Sequence, residues 1–394
     1  MAPRSGTSPR VVVFGAGAFG GWTALELVRR GARVTLLDAW GPGNGRSSSG
    51  GETRVMRATY GFHSVFTDMA VRALERWRTY EVEWCRTFFR RTGALWMFAT
   101  DRGEQFAQTS RVSLDTRVHI ESLTRSEAAH RYPQINFDGI SSVLFEPDAG
   151  YLLARRACEH VVEHATSEGV EYRIGAAAAP VGLEGSPCEA VALQSGEIVR
   201  ADRFVFACGP WLRTLFPDLL GRHMTVTRQE VHYFGIPAGT EAYSDGSLPV
   251  WLDFGERLFY GIPGNLHGGF KMADDTPGPI FDPTSGDRSP STSEVSRARA
   301  FLALRFPALA DAPLIGSEVC QYESTPDAHF IVDRHPAAPN VWIVGGGSGH
   351  GYKMGPAIGE IVAHLVMRDA EADPRFALER FHSPPTGGWR DKWS

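Results

Sequence analysis

The chain has 394 residues, 43% hydrophobic and 22% charged, enough to bury the core of two domains or one elaborated one. A formal net charge of −5 argues against nucleic acid or an acidic membrane surface as a partner, and no apolar stretch reaches transmembrane length. Five cysteines without a C-x-x-C pair, and a polar N-terminus whose first apolar run is too short for a signal peptide, lead us to expect a reducing, cytoplasmic setting.

Residues 11–14 are an apolar run that reads as a buried strand. Gly15, Gly17 and Gly20 follow as G-x-G-x-x-G, and Ala24, Leu25, Leu27 and Val28 keep helical spacing up to Gly31. Residues 34–37 read as a second strand that ends in Asp38. This strand–turn–helix–strand unit is the one that holds a dinucleotide. Gly15 permits the tight turn, Gly17 lets the backbone approach a pyrophosphate, and Gly20 lets the helix lie against the strand. Asp38, eighteen residues after Gly20, is placed to accept from a ribose. The motif alone does not separate FAD from NAD.

Residues 39–61 form a Gly/Ser-rich stretch with no apolar period, expected to run extended over the surface or a ligand. It carries Arg54 and Arg57, either a solvated pair or a pair reaching toward an anion. Residues 64–84 repeat apolar side chains every three or four positions, an amphipathic helix whose aromatics belong to the core. A strand is expected over 93–99, a loop-rich region over 100–150 with a short helix before Pro133, and a helix from near Tyr151 to Gly169. Residues 170–200 read as a β-meander, and 204–211 as a buried strand entering a Gly-Pro turn, with Cys208 a small core residue. Residues 225–275 read as a second, mainly antiparallel sheet rich in aromatics, and 293–306 as a helix. Near the C-terminus a strand over 341–344 runs into a glycine-rich turn and a helix from about Pro356, a second anion-binding arrangement. The fold class is therefore α/β, a Rossmann-like domain built from both chain ends with the antiparallel sheet inserted.

Of the 40 basic residues only Lys271, Lys353 and Lys392 are lysines; the other 37 are arginines. Lys271 and Lys353 both lie in glycine-rich, aromatic segments. A chain that otherwise writes arginine has placed a compact ammonium, which burial can neutralise, at two special positions. His and Cys are scattered without metal-ligand spacing, so no metal is expected.

Four pieces stand together: the unit at 11–38, the arginine loop at 50–61, YGIPGNLHGGFKMADD, and the closing pair CQYESTPDAHFIVD and GGGSGHGYKMG. Over nearly the whole chain they resemble the monomeric sarcosine oxidase and N-methyltryptophan oxidase family, within the D-amino-acid-oxidase-like flavoproteins. The resemblance implies an FAD domain over 1–85, 150–224 and 320–394, and a substrate domain over 86–149 and 225–319. It implies FAD attached through Cys320, with Gly15, Gly17, Gly20, Asp38, Ser48, Thr53, Gly347, Gly349 and Lys353 as further cofactor contacts. Lys353 and Arg57 match the pair that binds the substrate carboxylate. Arg54 and Lys271 match residues beside the flavin ring, the lysine activating oxygen. Tyr260 and Tyr322 match pocket-lining tyrosines, and His350 is given no proton-transfer role.

Two positions depart from sarcosine oxidase. Asp275 stands where that enzyme has histidine, and Trp251 where it has methionine. Asp275 is a candidate to bind an ammonium, accept an N–H or take a proton, or merely to pair with an arginine. With Trp251 in the pocket, the expected substrate is an amino or imino acid larger than sarcosine, oxidised to the imine with O2 going to H2O2. The alternatives are an amino-acid dehydrogenase with another acceptor, a biosynthetic cyclic imino-acid oxidase, an NAD(P)-dependent dehydrogenase, and a non-catalytic flavin-binding protein. Family members are often monomers.

Overall fold

A computed structural model of the chain describes residues 8–61, 63–100, 106, 118–180, 183, 187–239, 241–266 and 268–382. Part of the stretch read as loop-rich, and Lys392, lie outside them. A six-stranded sheet runs in the order Ile331–His335, Ala338–Gly345, Arg203–Phe206, Arg10–Phe14, Arg33–Asp38, Glu171–Ile174. All neighbours are parallel except the first pair. The strand at 10–14 is apolar without alternation because both faces are covered. Val11 and Val13 join one core cluster, and Val12 and Phe14 another. Both chain ends contribute to this sheet, as the two glycine-rich turns imply.

Helices Ala18–Arg29 and Gly355–Arg368 pack on each other over the first cluster. Gly355 and Gly359, one helical turn apart, make this approach possible. A Cβ on Gly359 would lie 2.7 Å from the backbone of Trp22, and one on Gly355 would lie 2.5 Å from the Trp22 ring. Trp22 in turn meets Trp77 of the helix Ser64–Trp84 at 5.1 Å, edge to face.

An eight-stranded sheet takes the order Leu314–Ser324, Thr225–Phe234, Phe270–Asp274, Leu258–Ile262, Val250–Phe254, Ala94–Phe98, Ser142–Glu146, Glu121–Leu123. Only the pair of 94–98 with 250–254 is parallel. Helix Thr292–Arg305 covers one face. It is pinned there by a buried ion pair, Arg305 Nε to Asp253 Oδ2 at 2.6 Å; removing one partner of such a pair costs about 3–5 kcal/mol. The opposite face turns toward the first sheet and carries the site.

Three local expectations change. Tyr151 lies in a strand, Gly150–Leu153, and the helix begins at Ala154. That strand pairs with Thr53–Met56 and Phe89–Arg90, so the segment expected only to run extended gains a ladder. Residues 170–200 are no meander: 171–174 edges the parallel sheet, while Ala190–Ala192 and Ile198–Arg200 form a separate hairpin.

Candidate active site

The cofactor-sized cleft lies at the C-terminal ends of the parallel strands, where α/β sheets hold nucleotides. Gly15, Gly17, Asp38, Ser48, Arg54, Tyr322, Glu323, Gly347, Gly349 and Tyr352 are among its walls. Gly15 has φ +101° and sits so close to the neighbouring strand that a Cβ would lie 2.3 Å from the Ala207 carbonyl oxygen. Gly20 lies beneath the turn rather than on its wall; its Cβ would strike the Gly15 oxygen at 1.8 Å. Asp38 accepts from the backbone N–H of Ala16 at 2.7 Å and of Gly41 at 2.8 Å, which ties its carboxylate to the turn.

A second, smaller cleft opens against the first. Arg54, Tyr322, Gly349 and Tyr352 line both, and Cys320, Arg57, Tyr260, Asp275 and Lys353 line the second. Strand alternation explains the arrangement: Cys320 and Tyr322 of one strand, and Tyr260 of another, project from the face turned to the cleft. Arg54 donates to the carbonyls of Thr53 at 2.8 Å and Ser48 at 3.0 Å, and its Nη2 stands 3.7 Å from Cys320 Sγ.

Arg57 is buried between two rings, 4.2 Å from the Tyr60 centroid and 4.9 Å from that of Trp96. Its Nη1 donates to the Thr59 carbonyl at 2.6 Å. Lys353 donates to the His350 carbonyl at 3.1 Å and stands 5.2 Å over the same Tyr60 ring. Burial, and then the nearby Arg57, push the Lys353 ammonium well below its usual range. A bound carboxylate would favour the charged form of Lys353, so this lysine and Arg57 together are a receptor for an anion. Glu146 offsets part of their charge. Its buried carboxylate accepts from the Ala58 N–H at 2.6 Å and the Thr59 N–H at 3.4 Å, fixing the turn after Arg57.

Tyr322 donates to Asp275 Oδ1 at 2.7 Å. Burial and then the charge of Asp275 push the Tyr260 hydroxyl up to about 12, so it stays protonated. Lys271 is buried, lines neither cleft, and donates to the Thr53 carbonyl at 2.7 Å. Thr53 thus touches the lysine rather than lining either cleft. Burial, and then Arg54, lower the Lys271 ammonium to about 7.

Trp251 is not brought to the site. Its ring is fully buried on the far face of the sheet, stacked 5.9 Å from Phe270 and 5.6 Å from Phe301. Gly261 across the ladder leaves room for it; a Cβ there would lie 2.2 Å from the indole. One residue of strand alternation decides this: Leu252 and Phe254, the next residues of opposite parity, line the cleft instead. Glu146, Trp96, Leu252 and Phe254 carry no motif, and only correct strand parity would have pointed to the last two. Among the described residues, one group has metal-ligand spacing, Glu83, His164 and Glu168. Arg29 already occupies it, donating to Glu168 at 2.8 Å and pairing with Glu83.

The family model for FAD dependent oxidoreductases matches residues 10–365. The chain belongs to that family. A monomeric sarcosine oxidase of Bacillus sp. is 28% identical over 362 residues, covering 91% of this chain and 92% of the relative. N-methyl-L-tryptophan oxidase of Salmonella arizonae is 25% identical over 376 residues, covering 94% and 97%. Among solved structures, a modified fructosyl peptide oxidase from Aspergillus nidulans superposes with a TM-score of 0.83 at 21% identity, covering 99% and 96%. L-proline dehydrogenase from P. horikoshii gives 0.80 at 22%, covering 95% and 98%. These last two bear on the fold alone.

Proposed function

We propose that this FAD-dependent oxidoreductase is an oxidase of an amino or imino acid bulkier than sarcosine. The observation that carries the reading is the second cleft: a buried cation pair, Arg57 and Lys353, faces an apolar wall of Val55, Leu252, Phe254 and Leu258. The pair holds the substrate carboxylate from two directions, and the apolar wall takes its side chain. An acid with an aromatic or branched side chain fits; an amine without a carboxylate brings no anion to Arg57 and Lys353.

The residues present fit FAD. Backbone closes on the first cleft only because glycine stands at 15, and Gly17, Gly347 and Gly349 line it as well. Gly15, Gly17, Asp38, Ser48, Gly347 and Gly349 would hold the cofactor, and Cys320 would tether it through sulfur. Bound there, the flavin supplies the acceptor for two electrons from the substrate C–N unit. Overall, one C–H and one N–H are lost to give C=N, and O2 takes up two electrons and two protons to give H2O2. Asp275, fixed by the Tyr322 hydroxyl, is placed to accept the amine proton. Lys271 and Arg54 hold positive charge where anionic oxygen develops. The two sheets support the division into a cofactor unit and a substrate unit.

The burial of Lys271 favours a second reading. Lowered to about 7, it is only partly charged at neutral pH, and an amino-acid dehydrogenase with a non-oxygen acceptor needs no such charge. Peroxide released one-for-one with substrate under air decides for the oxidase; substrate consumed only with an added dye decides for the dehydrogenase. Lys271→Met slows reoxidation far more than reduction if the oxygen role holds, and equal slowing refutes it. Acid precipitation addresses the tether: a yellow pellet supports covalent flavin, a white one removes it.

A further inference from the structure

The cofactor cleft holds a buried acid that neither the dinucleotide motif nor the cation pair requires. Glu323 lies on the strand that carries Cys320 and Tyr322, is 7% exposed, and forms part of the cleft wall. Ser48 donates to its Oε2 at 2.6 Å, and the Gly347 N–H reaches its Oε1 at 3.3 Å. The Ser348 N–H is held by the Glu323 backbone oxygen at 2.9 Å. One side chain thus ties the 39–61 segment to the C-terminal glycine turn. Among the described residues it has no cationic partner, and each carboxyl oxygen keeps hydrogen-bonding capacity toward the cleft.

An acid facing a dianionic pyrophosphate is repulsive; an acid facing a polyol is not. Along FAD the uncharged polyol is the ribityl chain, between the pyrophosphate and the ring. Asp38 is tied to the first glycine turn, whereas Glu323 lines the first cleft directly after Tyr322, a residue that lines both clefts. We propose that Glu323 is a cofactor-binding residue that takes a ribityl hydroxyl and sets the ring's depth beside Cys320. This rests on the reading that the ring lies at the Cys320 end. Burial pushes the Glu323 carboxyl upward, which favours its neutral form and a donated O–H.

The test is reversible binding in a full-length Cys320→Ser background, in which no sulfur tether forms. FAD and ADP are titrated by fluorescence against this parent and against the same chain carrying Glu323→Leu. ADP contains the adenine, ribose and pyrophosphate but no ribityl chain. The expected result is about tenfold weaker FAD binding, as one lost hydrogen bond of this kind gives, with ADP affinity within about twofold. Unchanged FAD affinity overturns the proposal. Equal loss for FAD and ADP also overturns it, because Glu323 would then only shape the cleft. Should the Leu variant not fold, Glu323→Ala, which admits water to Ser48 and Gly347, gives the same comparison. A parent that binds no FAD refutes the cofactor reading itself, and the mass of the Cys320 peptide from the unaltered enzyme tests the ring's position separately.

Discussion

The cofactor cleft and the substrate-side cleft are built from different materials. The first has backbone at its tightest points, with Gly15, Gly17, Gly347 and Gly349, from turns near each chain end, among its walls. The second is closed by side chains from strands far apart in the chain, Arg57 from one segment, Leu252 and Tyr260 from the antiparallel sheet, Lys353 from the last turn. A backbone cleft tolerates almost no added atom. A side-chain cleft tolerates change, and each change alters what it binds.

The sharpest way to break this comparison is at Gly20. Gly20→Val would force a Cβ into the Gly15 oxygen 1.8 Å away. Its expected outcome is protein without flavin, or no soluble protein, read from the visible absorbance of purified material. Next come Arg57→Leu and Lys353→Met. Each removes one charged partner of the carboxylate, worth about 1.5–3 kcal/mol, so kcat/KM should fall by about 10- to 100-fold while flavin content stays constant. Loss of flavin with either variant would merge the two clefts into one structural unit.

Much of the first cleft was legible because its constraint is local. The turn at 15–20, the strand ending in Asp38 and the turn before Gly355 each occupy one continuous stretch, and glycine spacing reports the backbone directly. The second cleft depends on which face of a strand a residue occupies. Trp251 was expected in the pocket but packs under helix 292–305. An unbroken run such as VWLDF, buried on both faces, gives no parity signal. Glu146 was invisible for a related reason: its partners, the Ala58 and Thr59 N–H groups, are 88 and 87 residues away in the chain.

Two smaller effects sharpen the contrast. Glu146→Gln keeps the shape but removes the negative charge that offsets Arg57 and Lys353, so the receptor becomes more positive and KM for the carboxylate substrate should fall, by up to about tenfold, with little change in kcat. Trp251→Phe should leave the substrate range unchanged and kcat/KM within about twofold, at a stability loss of about 1–3 kcal/mol by denaturant melting. Leu252 and Phe254 variants should instead shift substrate preference.

Lys271 supplies a pH test. Its ammonium is lowered in the fold from 10.5 to about 7. Between those values the unfolded chain binds a proton that the folded one does not, so stability rises with pH across this window. Lys271→Met lacks that rise. Its advantage over the natural chain should be greatest below about pH 7 and should shrink as pH approaches 10.5, as followed by denaturant midpoints of the two proteins.

The cation pair is tested most directly by oxidising matched substrates under air. One is an N-methyl aromatic amino acid; the other is the same amine without its carboxylate. Peroxide release from the acid, and release at least about 100-fold slower from the decarboxylated amine, is the expected result. Equal rates from the two would contradict the assignment of Arg57 and Lys353 as the carboxylate receptor.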